Sequence, residues 1–175
     1  MQSIVSQGAV LIMAENKDLK DAQEALADGD FEKAVSKFNK VIKADPKCAE
    51  AHFGKAEAAI GVPKMSVEDV QASYKKAVEF DPKNPIYQSS YAAFLVETGR
   101  FNEAEAAYNM AAELDPDNAR YYYSEFGMEY AIKAPIVMEK FLDEKTKDMI
   151  MVKGLKYLLK AVGMTEEDAK RLLSQ

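Results

Sequence analysis

Cys48 and His52 lie four residues apart, one helical turn, and they are the only cysteine and the only histidine in the chain. A thiol and an imidazole on one helix face can work as nucleophile and base, or as two ligands of a metal ion. A tetrahedral site needs two further ligands, and there is no other Cys or His to give them. The expected role of the pair is therefore an ordinary contact between helices. Asp28, Asp30 and Glu32 form a carboxylate group of the kind that does acid–base work. They flank a Gly turn and precede a helical pattern, where acids serve caps and the helix dipole. There is no G-x-x-x-x-G-K-[ST] phosphate loop and no G-x-S-x-G nucleophile elbow. No catalytic residue, metal or cofactor is expected, and the chain is read as a non-enzyme.

The elements that would carry any site must be helices. The chain has 175 residues, 48% hydrophobic and 30% charged, with only 8 Gly and 6 Pro, and Ala, Glu, Lys and Leu favour helix. The net charge is −6, which opposes nucleic-acid binding, since that needs a positive surface. The charge is uneven, −7 over residues 15–118 and +3 over 145–175. A single cysteine gives no internal disulfide and fits a reducing compartment. No apolar run reaches the ~20 residues of a membrane span. Residues 1–14 carry an apolar patch at Gly8–Ala14, but no Lys or Arg precedes it as a signal sequence requires. A cytoplasmic location is expected.

A repeat organises the chain. Pro46, Pro82 and Pro116 are spaced by 36 and 34 residues, and Phe38, Tyr74 and Tyr108 keep the same spacings, as do Ala34, Val70 and Ala104. Ala22, Ala56 and Ala92 are spaced by 34 and 36, so the two extra residues fall in the Gly- and Pro-bearing stretch "IGVPKMS" at 60–66. Each unit reads as two helices. The first ends near Gly29, Gly61 or Gly99, with glycine at a left-handed C-cap. The second stops at Asp-Pro, because proline cannot continue a helix. Ser66 and Asp69 predict a capping box. One pair cannot bury its apolar stripe alone, whereas stacked pairs can.

The spacing, with "GDFEKAVSKFNKVIKADP" at 29–46 and "GRFNEAEAAYNMAAELDP" at 99–116, resembles tetratricopeptide repeats (TPRs). The resemblance implies an all-α, right-handed superhelical solenoid of three helix-turn-helix repeats, at about 15–48, 49–84 and 85–118. A degenerate fourth repeat is expected over 119–146, its second helix beginning at Pro135 and covering 135–147. Its Gly127 falls one residue late for the small-residue column, where Phe126 stands, so either the register slips by one or the last repeat is altered. Residues 147–175 are expected to form capping helices. In the first of these Met151, Leu155, Leu158 and Val162 make the apolar face, and Lys153, Lys156 and Lys160 the opposite one. Thr165 is expected to cap the second.

By resemblance, first helices line a concave face that binds a peptide of a partner protein. The residues placed there are Leu19 and Gln23, Phe53 and Glu57, Ile86, Ser89 and Ala93, then Arg120 and Tyr123. With the slip, Tyr121, Ser124 and Met128 take the last places. Chaperone-binding members clamp a carboxylate with Lys, Asn and Arg. The matching positions here, Leu19, Gln23, Gly54, Ile86 and Ser90, hold no cation, so the expected ligand has apolar anchors and a basic residue. The expected function is a scaffold or adaptor for protein–protein interaction. The rival is a homo-oligomer formed through the apolar N-terminal or C-terminal segment, with the groove filled by the chain's own end. A third reading is a basic tail helix resting on a membrane surface.

Overall fold

The computed structural model describes residues 17–137, 139–141 and 143–174, and these form α-helices and two short 3-10 turns, with no strand among them. The apolar segment 1–14 lies outside the described residues. The chain divides between Pro82 and Lys83 into two compact units.

The first unit contains two helix pairs, α1 (17–27) with α2 (Phe31–Ala44), and α3 (Ala49–Ile60) with α4 (Val67–Phe80). Ala22, Ala34, Ala56 and Phe38 are completely buried, so the repeat columns are the core. Small residues let the backbones approach, and the ring fills the space beside them; burial of such a ring contributes about 1.5–3 kcal/mol. α2, α4 and α6 (Phe101–Leu114) end at Ala44, Phe80 and Leu114, and Asp45, Asp81 and Asp115 leave helical geometry with φ of −125°, −134° and −132°. The Ser66–Asp69 capping box is present at the start of α4. Gly61 departs from the expected left-handed cap, with φ −81° and ψ 0°. Its lack of a side chain is needed for a different reason, since a Cβ there would run into the Phe31 ring.

The second unit contains α5 (Pro85–Glu97), α6, a 3-10 turn at Pro116–Asn118, α7 (Ala119–Val137), α8 (Glu144–Ala161) and α9 (Glu166–Leu173). No helix begins at Pro135. α7 runs through Pro135 to Val137, although the proline removes one hydrogen bond of its last turns, and Ala134 beside it is fully buried. The partner of α7 is α8, which Asp143 caps by accepting a bond from the Thr146 amide. At the crossing of these two helices Gly127 and Gly154 face each other, each so close that a Cβ on one would lie 3.0–3.1 Å from the other's carbonyl oxygen. The small-residue position of this pair is thus Gly127, the slipped register, while Phe126 is fully buried among the rings of Tyr108, Tyr130 and Tyr157.

The face that α8 buries also differs from expectation. Ile150, Gly154 and Ala161 are buried, whereas Met151, Leu155 and Val162 are each more than half exposed. Lys153 does not face solvent on the opposite side: its ammonium donates to Glu105 Oε2 at 2.5 Å, while Tyr157 Oη donates to Glu105 Oε1 at 2.9 Å. Thr165 opens α9 with a full capping box, yet none of the described residues of α9 is buried.

Candidate functional site

Cys48 and His52 do not assemble a reactive pair. His52 Nε2–H donates to the Pro46 carbonyl at 3.0 Å, and its ring lies 5.4 Å from that of Phe80. Burial pushes the Cys48 thiol above its usual range, which disfavours the thiolate nucleophile. No group of three or more His, Cys, Asp or Glu that could hold a metal ion occurs among the described residues. Asp30 precedes α2 without a side-chain cap bond, and it lies 3.7 Å from Lys33 instead.

The residues assigned to a ligand surface are placed as follows. In the first unit, Leu19 and Gln23 stand on α1, and Gln23 Nε2 donates across to Glu50 Oε1 of α3 at 2.5 Å. Phe53 is half-buried, its ring edge-on to Tyr74 with centroids 6.2 Å apart. Tyr74 Oη donates to Glu57 Oε1 at 2.5 Å. Glu50, Phe53 and Glu57 are three and four residues apart and therefore share a face of α3. Neither glutamate takes part in a salt bridge among the described residues. Each is held by a neutral donor.

In the second unit, Ile86 is exposed at the start of α5, Ser89 donates to the Ile86 carbonyl, and Ala93 lies half-buried a turn later. Arg120 and Tyr123 are engaged by α8. Arg120 Nε donates to the Ala161 carbonyl at 2.8 Å, satisfying the C-terminal end of α8. Tyr123 packs against Tyr157, and the Lys160 ammonium sits 3.8 Å over its ring. The large side chains of α7 that are more than half exposed are Tyr121, Met128, Ile132 and Ile136. A cavity of about 540 Å³ opens beside α8, lined by Asn102, Tyr130, Met149 and Val152 among others.

Helix pairs of fixed length, closed by Asp-Pro and packed through small-residue columns, define an all-α repeat protein. Tetratricopeptide repeat family models match residues 67–124 and 19–61, together more than half of the chain. The chain belongs to the tetratricopeptide repeat family, whose fold is a scaffold for protein–protein interaction. A search of the curated proteins finds no match. Among solved structures, the chain is similar to the MamA protein, with 17% identity, 89% of this chain and 75% of that chain covered, and a TM-score of 0.68. It is also similar to PilF of Pseudomonas aeruginosa, with 20% identity, 86% and 78% covered, and a TM-score of 0.57. At these identities the likeness is one of fold. No described helix is long and apolar enough to cross a membrane.

Proposed function

We propose that the protein is a non-catalytic scaffold that binds a peptide segment of a partner protein on its first helices. The observation that carries this reading is the face of α3, where the half-exposed Phe53 ring stands between Glu50 and Glu57. The Gln23 amide and the Tyr74 hydroxyl fix the two carboxylates without neutralising them. A ring between two fixed negative charges suits a segment with an apolar anchor next to Lys or Arg. Leu19 on α1 adds apolar surface. In the second unit α5 offers Ile86, Ser89 and Ala93 as a separate, neutral face. The single cysteine fits a cytoplasmic setting.

The test is a random displayed-peptide library panned on the full chain, followed by affinity measurement of the enriched peptides. Enrichment of an apolar residue beside a basic one is expected. Phe53→Ala with Glu50→Lys should weaken α3-binding peptides by roughly tenfold or more. If nothing is enriched, peptide binding is refuted. If no enriched peptide loses affinity in the double variant, α3 is not the site.

Self-association is the second reading. It is favoured by Met151, Val152 and Leu155 on α8 and Val162 just after it, each more than half exposed.

A further inference from the structure

The cavity of about 540 Å³ in the second unit has the size of a ligand site, for which roughly 300–1,000 Å³ is usual. Its lining runs along α8 from Lys145 to Lys156 and is met by Tyr130 of α7 and Asn102 of α6. Eleven residues of helix at ~1.5 Å each make it about 16 Å long, the length of about five residues of extended chain. Met149, Val152 and the Tyr130 ring supply apolar surface. The ammonium groups of Lys145, Lys153 and Lys156 line it against one carboxylate, that of Asp148. Lys145 has no salt bridge among the described residues. Glu105 and Glu166, which hold the other two lysines, stand outside the lining. Lys156 and Glu166 are both half exposed, so solvent screens their pair and Lys156 can turn to another acceptor at little cost.

The Tyr130 hydroxyl points to a ligand independently of these charges. The side chain is only 9% exposed. Phe101 stands edge-on to its ring with centroids 5.2 Å apart, and the Phe126 ring lies 5.4 Å away, so the ring is fixed. Its neighbours Tyr122 and Tyr157 each donate to a carboxylate. Tyr130 Oη makes no hydrogen bond among the described residues. Lys153 and Glu105 act on it through their charges alone. The hydroxyl is not sealed off, and the opening that its residue lines is the cavity. Burial raises the phenol above its usual range, so the group keeps its proton and presents a donor. A fixed donor without an acceptor is one that a bound acceptor satisfies.

We infer that this cavity holds a short acidic segment of a partner protein, with an apolar side chain against Met149 and Val152 and a carboxylate that accepts from Tyr130 Oη. The lysine ammoniums complement its charge, and charge-assisted bonds of this kind are stronger than neutral ones. The inference rests on the reading of the chain as a peptide binder, but it does not depend on α3, and the ligand has the opposite charge from the one expected there.

The experiment pans a random displayed-peptide library on the full wild-type chain, with counter-selection on the double variant Tyr130→Phe, Lys145→Gln. Peptides retained by wild type alone should carry Asp or Glu beside an apolar residue. For one such peptide, a cycle pairs Tyr130→Phe with replacement of the acidic residue by an unbranched apolar one of the same length. Each change should weaken binding by about tenfold, and the two together by little more than either alone. Lys145→Gln alone should weaken it by about threefold, and by less at high salt. Because the Tyr130 hydroxyl has no partner in the fold, Tyr130→Phe should unfold at the urea concentration of wild type. A lowered midpoint would show the hydroxyl to be bonded within the chain and overturn the inference. If wild type enriches peptides and none is lost in counter-selection, the cavity is not a peptide site while peptide binding stands. Vesicles containing phosphatidylserine that then bind wild type and not the double variant would assign these lysines to a membrane surface instead. Retained peptides without a carboxylate, or losses that add, also overturn it. If wild type enriches nothing, both readings fall.

Discussion

Ile150 and Met151 are adjacent, and their side chains are 2% and 59% exposed. Helical periodicity alone permits either as the inward residue, since apolar side chains recur at helical spacing from both. What decides is the partner helix. Gly154, one turn after Ile150, lets α8 approach α7 at Gly127, and that crossing turns Ile150 and Ala161 inward. Ile150→Ala should therefore cost about 2–4 kcal/mol through the lost apolar contact and the cavity left behind. Met151→Ala should change stability by no more than about 0.5 kcal/mol. Urea unfolding of the two variants reads the difference directly, and equal losses would contradict the observed face. The repeat columns were legible for the opposite reason. Ala22, Ala56 and Ala92 each recur with a ring and a proline in fixed phase, so several residues vote for one register. The bond that holds Glu57 had no such signal. Its carboxylate is one among many in sequence, and only the approach of Tyr74 from α4 supplies the hydroxyl that donates to it.

At the scale of elements, chain punctuation carried most of the fold. Asp-Pro ended α2, α4 and α6 as expected, and the boxes at Ser66 and Thr165 started α4 and α9. The exception is the pair α7/α8. Pro135 looks like the first turn of a new helix, yet α7 continues through it to Val137. The next helix starts only at Glu144, so a segment expected to be a cap becomes the second half of a helix pair. Among the described residues that leaves α9 to cover the outer face of α8, and it covers little. Val152, Leu155 and Leu159 line an apolar cleft of about 230 Å³ with Ala169 and Leu173 of α9. Exposed apolar surface of this kind favours association. If a second copy covers it, sedimentation of the full chain should show a concentration-dependent dimer that Leu155→Glu reduces to monomer. Removal of residues 1–12 should leave that dimer intact. A wild-type chain that stays monomeric at all concentrations would exclude self-association, and loss of the dimer only on truncation would move the interface to the N-terminal segment.

At the scale of the whole chain, the two units differ in what their cores contain. Of nine tyrosines, only Tyr74 precedes Pro82, and the other eight belong to the second unit. Burial, with a bond to Asp115, pushes the Tyr122 phenol up to about 12. Burial, together with the bond to Glu105, likewise pushes Tyr157 up to about 12. Tyr108 and Tyr130 are raised in the same direction, chiefly by burial. An unfolded tyrosine loses its proton near pH ~10. Where the folded value is higher, the native chain holds the proton longer than the unfolded one. The stability tied to it is then full below about pH 10 and is lost as the pH rises toward the folded value. The loss falls chiefly on the second unit, which holds all four of these tyrosines. Alkaline titration should therefore melt α5–α9 in a step that coincides with phenolate formation. The first unit, with Tyr74 as its one tyrosine, should lose less helix in that step. Circular dichroism and phenolate absorbance, recorded on one sample between roughly pH 9 and 12.5, test this. Phenolate formation centred near pH ~10 with undiminished helicity would show that these rings are not held as described. Tyr122→Phe removes one titrating group without emptying its space, so its alkaline midpoint should lie above that of wild type, even though the bond to Asp115 is gone.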